Sequence, residues 1–183
     1  MMDMTDPATA EHGAEVAELA PRVGRELGVG SAAMDNLELA ARFHDIGKVA
    51  VPEEVLQKPG PLDERERQLM ACHVEWGAEL LRHLPDCEDV ARIVRHHHER
   101  YDGAGYPDGL SGAEIPLESR IIAACDAYGA MVSDRPYRRA LNPEEAVDEL
   151  ETGAGAQFDP SAVAAVVRVT RARADRRSAA RDN

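Results

Sequence analysis

The sequence predicts an all-α protein, a bundle of about six to seven helices around one core. Three observations lead there. Apolar residues recur at helical spacing along most of the 183 residues, and strand-like alternation is almost absent. Apolar content is 44% with only two Phe and one Trp, so the core has to be built from Ala, Val, Leu and Ile, which suits close-packed helices. Helix-start signals, several with a reciprocal glutamate, punctuate the chain.

Taken in order, a first helix is expected over about 8–27, with Val16, Leu19, Val23 and Leu27 on one face and Pro21 as a possible bend. Ser31 is positioned to cap a second, ending near His44. Asp63, with Glu66 three residues on, caps a third that should run to about Leu84. A fourth spans about Glu88 to His98, and a glycine-rich loop follows from Arg100 to Pro116. A fifth covers about Leu117 to Val132. Asn142-Pro143-Glu144-Glu145 reads as cap, first-turn proline and capping-box glutamate, and Asp159-Pro160 repeats the cap-then-proline signal before a last helix. Residues 1–9 read as a flexible N-terminus, 10–170 as one domain and 171–183 as a polar tail expected to fray.

Bulk properties exclude several function classes. A net charge of −13 is wrong for a binder of DNA or RNA polymers, whose phosphates demand a basic surface. It leaves room for a small phosphate ligand held by local cations. No apolar run approaches the roughly 20 residues of a membrane span, and MMDMTDPATAEH lacks the regions of a signal peptide. Cys72, Cys87 and Cys125 are isolated and odd in number, which suggests neither a disulfide framework nor a CxxC site. A reducing cytoplasm is the expected location.

Polar residues stand where apolar ones belong. His12 precedes Val16 by four and shares its stripe. His44 lies four after Ala40, with Asp45 beside it four after Ala41. His73 sits between Leu69 and Trp76. His97 and His98 follow Val94 by three and four, and Asp126 follows Ile122 by four. One such residue alone is usually a hydrogen-bonded core group. Five histidines and two aspartates aimed into one small core would be costly to bury without a common partner. Divalent metals supply it, since neutral imidazole and carboxylate oxygen suit Fe, Mn and Zn. Seven ligands exceed the needs of one ion, so two ions bridged by a carboxylate are expected. Successive helical residues are about 100° apart, so His96, His97 and His98 cannot all aim at one point; His96 is read as flanking.

The runs FHDIGK (43–48), HHERYDGAGYPDGLSGAEIP (97–116), RIIAACDAY (120–128), RPYR (135–138) and QFDP (157–160) resemble the HD-GYP family, cyclic di-GMP phosphodiesterases of the HD superfamily. The resemblance covers about residues 10–170 and implies an HD-domain-like bundle with a GYP loop. His12, His44, Asp45 and Asp126 correspond to the one-metal core of HD phosphohydrolases. His73, His97 and His98 correspond to the ligands of a second ion, with Asp45 as the bridge. Lys48 matches a lysine near the scissile phosphate, and Arg135 and Arg138 match positions that contact phosphates or bases. Asp102, Gly103, Gly105, Tyr106 and Pro107 form the GYP loop, expected to approach the dinucleotide. Iron or manganese is the implied metal, with Zn, Ni or Mg as possible occupants on purification. Diguanylate cyclases of the GGDEF type and a second copy of the chain are the implied protein partners. Receiver or sensory modules usually precede such domains and are absent from this sequence, which suggests a stand-alone form or a fragment.

The implied reaction opens cyclic di-GMP to linear pGpG, with GMP as the alternative end product, by in-line attack of a hydroxide bridging the two cations, with Asp45 and Lys48 as the central residues. Some relatives hold a third ion with a glutamate where this chain has Ala8, so two ions are expected. Glu15 and Gly129 also depart from the family pattern. Two alternatives stay open: a receptor or scaffold that binds cyclic di-GMP or a partner protein without turnover, and a phosphohydrolase of another nucleotide or cyclic dinucleotide.

Overall fold

A computed structural model describes the backbone at residues 7–134 and 139–179 and the side chains at 13–134 and 139–174. The architecture is all-α. Nine α-helices are described: α1 (Pro7–Glu26), α2 (Ser31–Phe43), α3 (Glu53–Leu56), α4 (Glu64–Ala71), α5 (His73–Arg82), α6 (Glu88–Arg95), α7 (Leu117–Val132), α8 (Pro143–Gly153) and α9 (Pro160–Ala179). Two 3₁₀ turns, Ile46–Ala50 and Gly112–Glu114, complete the chain order. None of the described helices is long and apolar enough to cross a membrane.

The expected stripe of α1 is real. Val16, Leu19 and Val23 are buried, joined by Ala20, and face Leu37, Ala40 and Ala41 of α2 and Ile121, Ile122 and Cys125 of α7 in one continuous core. Helix α1 packs on α2, α7 and α9; α2 packs on α6; α5 packs on α6 and on the first 3₁₀ turn. Small residues dominate these contacts, as the scarcity of aromatic rings requires.

Local signals fix several boundaries. Asp63 and Glu66 form the reciprocal capping box that starts α4, and Asn142 and Glu145 form another at α8. Such a cap is worth about 1 kcal/mol. Asp159 accepts from both the backbone N–H and the hydroxyl of Ser161, and it pairs with Arg120 of α7, tying the start of α9 to α7.

Other boundaries differ from expectation. The cap of α2 is Gly30, in extended backbone, and Ser31 is the first helical residue. The third expected helix is split at Cys72 into α4 and α5, and the fourth ends at Arg95 rather than His98. The cause is the same in both places. The His73 ring donates its Nδ1–H to the Met70 carbonyl (2.7 Å), and the rings of His96 and His97 donate to the carbonyls of Arg92 (2.8 Å) and Val94 (2.7 Å). Those carbonyls belong to the helical ladder, and side-chain donors compete for them. At the other end of the chain α9 runs from Pro160 to Ala179, into the polar segment that begins at Arg171.

Candidate metal centre

The histidines sit at helix ends. His44 follows the last residue of α2 and donates Nδ1–H to the Ala41 carbonyl at 2.9 Å. His73 and His97 cap the ends of α4 and α6 in the same way, each bonding the carbonyl three residues back. A carbonyl only accepts, so Nδ1 carries the proton in all three rings. Each Nε2 lone pair is therefore turned toward the interior, the arrangement by which outer-shell hydrogen bonds orient metal-ligating imidazoles.

These lone pairs converge on Asp45. One of its carboxylate oxygens, Oδ1, lies 3.4 Å from His73 Nε2, while Oδ2 lies 3.5 Å from His44 Nε2 and accepts from Lys48 Nζ at 2.6 Å. Asp126 on α7 completes the His44 side, its Oδ1 3.7 Å from His44 Nε2. On the other side, ligand atoms of Asp45, His73, His97 and His98 all lie within 4.8 Å of one another. The His97 and His98 ring centroids are 4.1 Å apart, so the turn after α6 brings both neighbouring rings to one cluster, which an α-helical path would not do. Asp45 thus faces two half-sites, one oxygen to each.

The close approach of the segments has a specific cause. A Cβ on Gly47 would lie 1.9 Å from the His73 carbonyl oxygen and 2.5 Å from Gly77 N. Only glycine lets the 3₁₀ turn that follows Asp45 touch α5, which carries His73.

Burial sets the electrostatics. It drives the His97 ring well below its ordinary pKa, with His98 adding to the effect; it takes His98 down to about 3 and lowers His73. Burial, the largest single influence, opposes ionisation of Asp45, but the Lys48 ammonium together with His44 and His97 outweighs it and holds the carboxyl well below the usual range. The cluster therefore presents neutral imidazoles and an ionised carboxylate at neutral pH.

That donor set fits divalent cations. Asp45 Oδ1, His73 Nε2 and His97 Nε2 are buried with no hydrogen-bond partner among the described residues. Each such atom costs about 1–3 kcal/mol, and three together rival much of a typical net folding stability of about 5–15 kcal/mol. Ions ligated by these atoms would remove that cost.

The GYP loop covers the cluster. Tyr106 lies against His98, ring centroids 5.2 Å apart, and burial, aided by the charges of Asp45 and Asp126, pushes its phenol up to about 12. Gly103 has φ +81°, and a Cβ on Gly105 would lie 2.2 Å from Arg100 N, so the loop is pressed onto the chain at 99–100. Pro107 follows Tyr106 in this turn. The Asp102 carboxylate is engaged within the loop, accepting from Arg100 Nε (3.1 Å) and Nη2 (2.7 Å) and from Ala104 N (3.0 Å). These bonds shape the turn. The loop is also fastened to the α8–α9 turn, through Tyr101 N to Gln157 O and Asp102 N to Ala156 O.

Among the residues expected from the sequence, the structure brings together His44, Asp45, Lys48, His73, His97, His98, Tyr106 and Asp126. The His12 side chain, and Arg135 and Arg138, lie outside the described residues. His96 turns away from the cluster to Asp108 (2.9 Å). Sequence reasoning missed Arg95, Glu99 and Asp108. Buried Glu99 stands beside the paired histidines, which was the one visible signal.

Comparison with known proteins agrees with this geometry. A cyclic di-GMP phosphodiesterase response regulator of Xanthomonas campestris is 40% identical over 169 residues, covering 91% of this chain and 45% of the relative. The 3′3′-cGAMP-specific phosphodiesterase 3 of Vibrio cholerae is 37% identical over 166 residues, covering 91% and 36%. The chain spans under half the length of these two relatives. In fold, it matches the HDG"Y"P protein Bd1817 of Bdellovibrio bacteriovorus with a TM-score of 0.72 at 20% identity, covering 93% of this chain and 55% of that one. The family model described as HD domain matches residues 1–162. The chain belongs to the HD domain family, in its HD-GYP branch.

Proposed function

We propose that this chain is a metal-dependent phosphodiesterase that opens cyclic di-GMP to linear pGpG. The observation that carries the reading is Asp45, whose two oxygens face separate sets of inward imidazole lone pairs. One divalent ion would be held by His44, Asp45 and Asp126, with His12 as a further ligand, and the other by Asp45, His73, His97 and His98. Such a pair of ions supplies Lewis acidity, neutralising the phosphodiester and acidifying water. The chain does the rest. Lys48 donates to the Asp45 carboxylate, and from there its ammonium would meet a non-bridging phosphate oxygen. Tyr106, whose ring lies against His98, keeps its proton at neutral pH and would offer an O–H donor to the substrate. Arg135 and Arg138 would fork onto phosphate or guanine, and Gly103, Gly105 and Pro107 give the loop its close path. Asp102 serves by holding that path. Iron or manganese suits these donors. In this reading the protein works in the cytoplasm, GGDEF-type diguanylate cyclases would meet it through the GYP loop, and a second copy of the chain is the other protein partner.

A specific observation favours a second substrate. Relatives that cleave 3′3′-cGAMP match nearly as well as those that cleave cyclic di-GMP. The test is anaerobic purification, metal counting, and chromatography of products from each dinucleotide separately. The proposal expects two ions per chain and pGpG from cyclic di-GMP. Cleavage of 3′3′-cGAMP alone would transfer the assignment to that substrate. Tight binding of cyclic di-GMP by the two-ion protein with no product would make it a receptor.

A further inference from the structure

His97 and His98 lie between two residues that hold the same aspartate. On one side, His96 Nε2 lies 2.9 Å from Asp108 Oδ2; on the other, Glu99 Oε1 accepts from Asp108 N at 2.8 Å. Arg95 grips the Asp108 carboxylate with two parallel bonds, Nε to Oδ2 (2.9 Å) and Nη2 to Oδ1 (2.8 Å). The remaining nitrogen of Arg95 donates to Glu75 Oε1 at 3.1 Å, and Glu75 is two residues beyond His73 on α5. Asp108 is itself two residues beyond Tyr106, whose ring lies against His98. One charged chain of contacts therefore joins the three segments that carry His73, His97 with His98, and Tyr106. Its members do not include the segments that carry His44 and Asp126.

We propose that Asp108 is a positioning residue, the centre of a latch with Arg95, Glu75, His96 and Glu99 that holds the His73–His97–His98 half-site in shape for its ion. This rests on the two-ion reading above. Asp108 and Glu75 are partly exposed, and exposed ion pairs contribute little to global stability. The latch therefore acts on geometry more than on folding. Outer-shell partners of metal ligands typically change affinity by about 10–100-fold, which sets the expected effect.

The experiment is calorimetric titration of Mn²⁺ into the metal-free full chain, with thermal melting alongside. In the wild type, two binding steps are expected. Asp108→Ala should keep one step within about twofold and weaken the other about tenfold or more, copying the pattern of His98→Ala, with little change in melting temperature. Asp108→Asn, which keeps an oxygen for Arg95, should fall between. Arg92→Ala, an exposed change on the same helix, should match the wild type. Two wild-type steps that Asp108→Ala leaves intact, or weakens equally together with the melting temperature, would overturn the latch alone. A single wild-type step would overturn the two-ion reading and the latch with it.

Discussion

The two half-sites around Asp45 are built differently. The His44–Asp126 side takes Asp126 from the middle of α7, a continuous 16-residue helix whose neighbours are core residues. The His73–His97–His98 side is assembled from chain breaks: the step between α4 and α5, and the turn after α6. Packing that exists for the fold's own sake holds Asp126, while His44 is set by the same ring-to-carbonyl bond as His73 and His97. The second side depends further on one glycine contact and an ion-pair latch. The second half-site should therefore be the more easily damaged.

The most damaging change removes the residue both sides share. Asp45→Ala should abolish binding of both ions and all turnover, whereas Lys48→Ala should keep both ions and lose turnover by about 10²-fold. Metal counting beside a product assay checks this, and loss of metal in Lys48→Ala would make that lysine structural. A smaller effect separates the halves. Gly47→Ala forces a Cβ into the His73 carbonyl. It should cost about 1–3 kcal/mol in urea unfolding and reduce ion binding at the His73 side while sparing the other. Equal loss at both would show that the 3₁₀ turn supports the whole centre.

The smallest expected effect is in pH. His98 titrates near 6.5 when unfolded and near 3 when folded, and His97 and His73 are depressed in the same direction. The unfolded chain therefore binds more protons in that interval, and stability of the metal-free protein falls as pH drops from about 6.5 toward 3. The urea midpoint should decline steadily between pH 7 and 5, and less so in His98→Gln. A midpoint that is flat over that range would mean the rings are not buried neutral.

The same contrast governs what could be read from the sequence. Helix α7 was legible to the residue, and so were the capping boxes at Asp63 and Asn142, because their signals are local. Asp126 and His44 were legible because apolar spacing places them inward. The breaks at Cys72 and after Arg95 were not, since periodicity carries no sign that a histidine ring will take a ladder carbonyl. His97 and His98 were singled out on the assumption of a continuing helix, and they reach the cluster through a turn instead. The pairing of Asp102 with Arg100 depends on loop shape, which spacing does not carry. The Arg95–Asp108 pair spans 13 residues across that loop and leaves no trace in spacing.

The ring-to-carbonyl bonds of His44, His73 and His97 carry a consequence for how this centre can change. In the proposed reading each of these side chains would both donate to a metal and stop a helix. Replacing one edits the course of the backbone as well as the coordination sphere, so drift toward another cation by swapping these imidazoles for carboxylates or thiolates would have to redraw the local chain path at the same time.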